Sequence, residues 1–290
     1  MVNPTSAARS MWTLFEPVHS VTYFAPEALS AFTEAGLRGF WRGYFAGRAA
    51  PLGIVRPAVI TASFYNFAPA FVARAIPGVW DLISPQEALR VRTAGAVAAL
   101  SRLLAGQESR VAAAADLLWQ ATSELDCAGR VLAAANAELF AADTAGGSAL
   151  VRLWQAATLL REHRGDGHFA ALTAAAIDGC EITVLRSAID LRREVTQRTR
   201  GWTDEQWDAA RSRLVARGWM APDGVVTETG RAARAAVEDA TDLAATRPWT
   251  RFGAAATAEL ADLLTPLSRS CAEAMPFPNP IGLPSPRAFS

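Results

Sequence analysis

Two of the chain's three histidines lie in the short segment 162–168, which reads Glu-His-Arg-Gly-Asp-Gly-His. Gly165 is typical of a helix C-terminus and Asp166 of an N-cap, so the pattern predicts a tight turn between two helices. His168 would then lie in the first turn of the second helix, where the dipole disfavours imidazolium and lowers the pKa of the side chain. A neutral imidazole can act as a base, an acceptor or a metal ligand. The alternative is that Asp166 only caps a helix and that both histidines are ordinary turn residues.

The remaining histidine, His19, is the second candidate for proton transfer. It would meet His168 if the N-terminal residues folded onto the 162–168 turn, and Glu16 and Asp166 could then add oxygen ligands. No two histidines have the i, i+4 spacing of a helical metal site, and the three cysteines show no zinc spacing. We therefore assign no metal ligands, leave haem or any other cofactor unknown, and take His19 and His168 as the candidate catalytic residues.

Gly39, Gly43 and Gly47 recur every four residues in a helix predicted over about 37–48, so they share one helix face. Each glycine inside a helix costs roughly 1 kcal/mol relative to alanine. Three on one face need a compensating contact, and close approach of another backbone or of a flat ligand would provide it. The pattern predicts either tight helix packing or one wall of a pocket.

Aromatic and basic side chains stand on the neighbouring faces of this helix. In the pocket interpretation Trp41 and Tyr44 pack against a ligand, and Arg42 or Arg48 pairs with its anionic group. In the packing interpretation the arginines simply extend into solvent. The full set of predicted ligand-binding residues is Tyr23, Trp41, Arg42, Tyr44, Arg48 and Asp166.

The composition favours a mainly α-helical protein. Of the 290 residues 51% are hydrophobic, and alanine, the strongest helix former, is abundant. The run Ser-Pro-Gln-Glu at 84–87 is a typical helix start. The segment 143–148, with two adjacent glycines, is typical of a linker. We therefore expect an aromatic-rich helical part at 1–145 and a second helical part at 146–290 that ends in a proline-rich tail.

The charges and the cysteines bear on the partners and the compartment. The chain has 28 acidic and 28 basic residues, so no general attraction to nucleic acid or to an anionic membrane follows. The longest stretch without charge, 57–73, contains two prolines and is too short to cross a membrane. Three widely spaced cysteines and the lack of a signal-peptide pattern favour the cytoplasm.

Residues 202–238 have the order of elements of a winged helix. A predicted helix ends in LVARGWM, a short β-hairpin follows at APDG, and VVTETGR leads into the next helix. Over about 180–245 this resembles the MarR-like regulators, whose recognition helix, wing and dimer-connecting helix follow in the same order. The whole chain is similar to a helix-turn-helix-type family of actinobacteria. The resemblance implies DNA binding through Gln206, Arg211 and Arg213, and a homodimer.

The charges of this module oppose the DNA-binding interpretation. Asp204, Glu205 and Asp208 occupy the start of the predicted recognition helix, which would face phosphates, and Asp223 lies at the hairpin tip. Our leading hypothesis is therefore a small-molecule-binding protein, with the winged helix as scaffold and DNA as a disfavoured partner. The alternative is a ligand-responsive MarR-like transcriptional regulator that binds DNA. The GxSxG, P-loop and HExxH motifs are missing, so whether the protein is an enzyme stays open.

Overall fold

A computed structural model of the chain describes residues 4–142, 147–279 and 283. These residues form fifteen α-helices and two short 3-10 turns, so the prediction of a mainly α fold is confirmed. The helices are α1 (Pro4–Phe24), α2 (Pro26–Glu34), α3 (Phe40–Ala49), α4 (Pro57–Phe64), α5 (Pro69–Ala73), α6 (Pro85–Leu103), α7 (Glu108–Thr122), α8 (Val131–Ala142), α9 (Ala149–Ala174), α10 (Gly179–Ser187), α11 (Arg193–Arg200), α12 (Asp204–Ala216), α13 (Glu228–Ala244), α14 (Arg247–Phe252) and α15 (Ala254–Ala272).

Three groups of buried apolar side chains hold these helices together. The first joins α1, α6, α7, α9, α14 and α15 around Trp154. The second joins α2 to α5 and the start of α6 around Phe45 and Phe64. The third joins the end of α9 to α10, α12 and α13 around Trp207. Residues 143–146, where we predicted a linker between two parts, lie outside the described residues, and the division of the chain near residue 145 stays a prediction.

The long helix α9 packs against α1, α6, α7, α8 and α13, and it corrects one prediction. It continues without a break through 162–168, where the sequence predicts a turn. Gly167 lies beside the end of the Arg130 side chain, and a Cβ there would be 2.6 Å from the Nη1 atom of Arg130. Asp166 is not the N-cap of its own helix. Its Oδ2 atom accepts a hydrogen bond from the backbone N–H of Ala133 at 2.9 Å, in the first turn of α8.

The glycines of α3 make room for a side chain of the same chain. Gly39 precedes the helix with a φ of 87°, and a Cβ on Gly43 or Gly47 would come within 3.0 or 2.6 Å of the Phe32 ring. Phe32 belongs to α2 and is buried. The compensating contact for the costly glycines is therefore helix packing against a phenyl ring.

The predicted β-hairpin is not formed. Around residues 221–225 the described backbone has a single antiparallel bridge, between Met220 and Val226, and no strand. The turn begins directly after the bridge, because the N–H of Gly224 donates to the carbonyl of Ala221 at 2.9 Å, and Thr227 already caps α13 by accepting a hydrogen bond from the N–H of Gly230 at 3.1 Å. Too few residues remain between α12 and α13 to form two paired β-strands.

Helices α11 and α12 are joined by the short turn 201–203, and we call residues 193–216 the helix-turn-helix segment. Its turn is docked on the N-terminal aromatic region. The Trp202 indole N–H donates to the carbonyl of Asn66 at 3.1 Å, and the carbonyl of Arg200 accepts from the N–H of Ala68 at 2.9 Å. This contact fixes the segment relative to α4 and α5.

Two further features concern the chain end and the lengths of the helices. Asn279 and Leu283 are buried, and the Asn279 side chain bonds both backbone polar groups of Leu283 at 3.1 and 3.2 Å. Of the helices described, none alone has the length and apolar character to cross a membrane. The pair α9 and α10, bent by 97°, meets that criterion by length and composition only.

Candidate ligand cavity beside the helix-turn-helix segment

A cavity of about 320 Å³ lies between α1, α3, α9, the helix-turn-helix segment and α13. Its volume is in the range of small-molecule sites. Seven guanidinium groups line it, from Arg9, Arg48, Arg161, Arg164, Arg186, Arg200 and Arg234. Its aromatic lining comes from Trp12, Tyr23, Phe24, Phe40, Trp41, Tyr44, Phe64, Phe67 and Phe169. This combination suits a ligand with an apolar or planar body and a negative charge.

Four of the six predicted ligand-binding residues line this cavity: Tyr23, Trp41, Tyr44 and Arg48. Arg48 is four residues after Tyr44 and therefore on the same face of α3. Arg42 is on another face, is exposed and does not line the cavity. Asp166 of α9 is buried against the first turn of α8 and does not line the cavity either.

A buried ion-pair network forms one side of the cavity. Glu162 accepts hydrogen bonds from Nε and Nη2 of Arg48, both at 3.2 Å, and from Nη1 of Arg161 at 2.9 Å. Burial alone would raise the pKa of Glu162, but the two guanidinium groups lower it to about 2. Arg48 also donates to the Tyr44 hydroxyl at 3.2 Å. Burial raises the pKa of the nearby Glu16, whose carboxylate is 3.6 Å from Arg161. A change in the protonation of one of these groups would therefore alter the pKa values of the others.

His19 lies behind this wall and reaches the cavity only through Tyr23. Its Nδ1 is 2.9 Å from the Thr158 hydroxyl and its Nε2 is 3.0 Å from the Tyr23 hydroxyl. The Thr158 hydroxyl donates to a backbone carbonyl at 2.8 Å, so it accepts from Nδ1–H, and Tyr23 donates to Nε2. Burial lowers the pKa of His19 well below its ordinary value. The chain Tyr23–His19–Thr158 therefore holds a neutral imidazole in one tautomer.

His168 lines the cavity itself. Its Nδ1 is 2.9 Å from the Thr241 hydroxyl of α13, and burial lowers the pKa of the imidazole to about 4. The neutral form that the sequence predicts therefore has another cause than a helix start. His163 is on a different face of α9 and borders a separate cleft. In the part of the chain that the structure describes, no group of three or more His, Cys, Asp and Glu residues is arranged to hold a metal.

The remaining arginines of the cavity were missed from the sequence. Arg164 pairs with Asp242 of α13 at 2.7 Å, and Arg186 and Arg234 share Asp190 at 3.4 and 2.9 Å. Arg200 lies 4.8 Å from the centre of the Phe67 ring, and burial lowers the pKa of its guanidinium to about 10. These residues come from four helices that are far apart in the sequence, so no local spacing could have grouped them.

The three residues predicted to contact DNA are used within the chain. The Gln206 side chain accepts from the N–H of Thr203, in the capping box of α12. Arg211 donates to the carbonyl of Pro222, and Arg213 donates to Glu181 at 2.8 Å. The exposed face of α12 carries Glu205, Asp208, Ala209 and Ser212. This face is acidic, as the sequence predicts.

Comparison with known proteins places the chain in a family. No curated protein and no solved structure shows a significant match to it. A family model described as a helix-turn-helix family matches residues 8–278, which includes every element of the cavity as well as the helix-turn-helix segment. The chain therefore belongs to this helix-turn-helix family.

Proposed function

We propose that the protein is a ligand-responsive helix-turn-helix regulator, which binds DNA under the control of an anionic small molecule held in the cavity. Membership of the helix-turn-helix family supports a DNA-binding, regulator-type role. The arginine-rich lining of the cavity supports an anionic ligand. In this proposal the protein works in the cytoplasm.

The observation that carries the proposal is the position of Arg200. It is the last residue of α11, immediately before the turn of the helix-turn-helix segment, and its side chain lines the cavity. Tyr23 and Arg48 of the N-terminal helices line the same cavity. A ligand that contacts Arg200 together with Tyr23 or Arg48 would favour one position of the helix-turn-helix segment over others. A ligand shifts a conformational equilibrium only when it binds one conformation more tightly than the other.

A gel mobility shift tests the regulator. DNA from the protein's own promoter region should be retarded at low salt, and the complex should weaken as salt rises. Ligand candidates are chosen by thermal shift from aromatic and aliphatic carboxylates and phosphates, each paired with its neutral amide or alcohol. We expect an anion that stabilises the protein to change the DNA affinity as well. Absence of any retardation at low salt would falsify the regulator.

A second candidate function, a small-molecule-binding protein or an enzyme without a DNA partner, is supported by the acidic face of α12. The Tyr23–His19 pair beside the cavity provides a proton donor and acceptor that chemistry could use. An anion that binds to the cavity of a protein unable to retard any DNA would favour this candidate. The Arg200→Met variant separates the two, since it should weaken anion binding in both cases but change DNA affinity only in the regulator.

A further inference from the structure

The charges of this electrically neutral chain are unevenly distributed. Residues 35–80 contain no Asp or Glu and five arginines: Arg38, Arg42, Arg48, Arg56 and Arg74. Arg48 is buried against Glu162. For the other four, the described parts of the chain show no carboxylate within ion-pair distance. This N-terminal segment therefore keeps a positive charge that its own fold does not neutralise.

Part of this charge lies next to the turn of the helix-turn-helix segment. The Phe71 ring packs against Gly201, where an added Cβ would be 2.3 Å from the Phe71 Cβ. The Arg74 guanidinium lies 5.6 Å from the centre of the Phe71 ring. Phe71 also contacts Trp41, with ring centres 5.0 Å apart, and Arg42 follows Trp41 in the chain. Both Arg42 and Arg74 are exposed.

Helix α11 carries a third exposed arginine, close in sequence to the contact between Gly201 and Phe71. Arg198 is exposed, three residues before Gly201, and it too has no carboxylate partner among the residues described. By contrast, the exposed face of α12 offers Glu205 and Asp208. A phosphate backbone would be repelled by α12 and attracted by the arginines around Phe71.

We propose that Arg42, Arg74 and Arg198 form a basic rim around Phe71 that binds the phosphate backbone of duplex DNA. The protein then holds DNA through α11 and the N-terminal segment, not by inserting the exposed face of α12 into the major groove. This inference rests on the proposed DNA-binding function and names the surface that performs it. Phosphate contacts position a protein on DNA without reading its sequence, so the rim binds mixed-sequence duplex.

The test is fluorescence anisotropy of a labelled mixed-sequence duplex of about 20 base pairs, titrated at salt concentrations between about 50 and 200 mM. Arg74→Met and Arg198→Met should each weaken binding at the lower salt concentration by roughly 3- to 10-fold, and each should reduce the salt dependence by about one released ion. Both side chains are exposed, so the variants should keep the thermal midpoint of the wild type.

Two matched variants serve as controls. Arg110 of α7 is exposed and, among the residues described, donates to the Gln107 side chain alone, so Arg110→Met removes the same charge elsewhere and should leave DNA affinity unchanged. Ala209→Glu adds a charge to the exposed face of α12 and should weaken binding less than either rim variant.

The outcomes separate the two proposals. If Ala209→Glu abolishes binding while Arg74→Met and Arg198→Met bind like the wild type, α12 contacts the DNA and the rim is overturned, but the regulator stands. If the wild-type protein binds no duplex at low salt, or binds only anionic phosphatidylglycerol vesicles, both the rim and the regulator fail. Loss of affinity with Arg110→Met equal to that with Arg74→Met would also overturn the rim, since the effect would be one of net charge.

Discussion

The Asp166 carboxylate in the middle of α9 accepts a hydrogen bond from the backbone N–H of Ala133 at 2.9 Å, and so caps α8 across 33 residues of chain. The first N–H groups of a helix have no partner within it, and a carboxylate is the preferred acceptor there. Burial raises the pKa of Asp166 to about 6, and the hydrogen bonds from the α8 backbone offset only part of that effect. The Asp166 carboxylate therefore provides a hydrogen-bond acceptor for the first turn of α8, but its buried negative charge lowers the stability of the folded protein.

Replacing Asp166 by asparagine should remove this cost. Because the folded-state pKa lies above the ordinary value, the folded protein binds the proton more tightly, and stability falls as pH rises from about 4 to 6. The amide side chain would keep an oxygen acceptor but carry no charge. We expect the unfolding free energy of Asp166→Asn, minus that of the wild type, to increase by roughly 1–3 kcal/mol when the pH is raised from 4.5 to 7.5. Urea denaturation at both pH values measures the change.

Asp116→Asn is the matched control for that experiment, because Asp116 is exposed and, within the described part of the chain, pairs with Arg152 alone. Its effect on stability should be within about 0.5 kcal/mol at either pH. If Asp166→Asn showed the same stability difference from wild type at both pH values, the buried charge would not be the source of the cost.

His168 should make the protein less stable in acid. Its pKa is lowered to about 4 by burial, so the folded state keeps the neutral imidazole while the unfolded chain takes up a proton near pH 6.5. Stability from this group is present above pH 6.5 and is lost as pH falls toward 4. In His168→Asn the amide can still donate to Thr241, and the acid-induced loss should shrink by about 2–3 kcal/mol.

Measuring wild type and His168→Asn at pH 8 and pH 4.5 separates two effects. The difference at pH 8 reports the altered contact with Thr241, and the change of that difference toward pH 4.5 reports the proton. A difference that did not vary with pH would show that His168 is accessible to protons in the folded protein.

Local signals predicted helix starts well but not the path of α9. Ser84 caps α6 as its sequence indicates, by accepting a hydrogen bond from the N–H of Glu87 at 3.1 Å. Gly165 and Asp166 carry equally good local signals for a turn, yet α9 passes through them. Asp166 and the adjacent Gly167 contact Ala133 and Arg130, which are more than thirty residues away, and no window of adjacent residues contains that information.

The same limit applied to the cavity. The face of α3 that carries Tyr44 and Arg48 could be predicted because the i, i+4 spacing is local. The i, i+4 spacing does not predict that Phe32 covers the glycine face. It also does not predict that Arg200 reaches the cavity from the helix-turn-helix segment. These facts depend on the packing of α2 and α11, which is a property of the whole fold.

The contact of α2 with α3 gives a prediction about Gly47. A Cβ at this position would lie 2.6 Å from Cζ of the buried Phe32 ring, which is too close. Gly47→Ala should therefore lower the unfolding free energy by about 1–3 kcal/mol, although alanine is the better helix former. Combining it with Phe32→Leu should recover part of the loss. A double variant whose effects simply added would show that Phe32 is not the source of the clash.

Gly201 and Gly218 offer a test of how firmly the helix-turn-helix turn is docked. Both have a left-handed backbone, with φ of 75° and 71°, so alanine at either site carries a similar conformational cost of about 1 kcal/mol. The two sites differ in the room available for a side chain. A Cβ at Gly201 would be 2.3 Å from the Phe71 Cβ, whereas a Cβ at Gly218 would meet nothing within 4 Å. We expect Gly201→Ala to cost at least about 2 kcal/mol more than Gly218→Ala in urea denaturation. Hydrogen exchange should also become faster at the N–H of Ala68, which donates to the carbonyl of Arg200. Equal losses of unfolding free energy in the two variants would show that the turn can separate from the N-terminal segment without loss of stability. Phe71 would then not hold the basic rim to the turn of the helix-turn-helix segment.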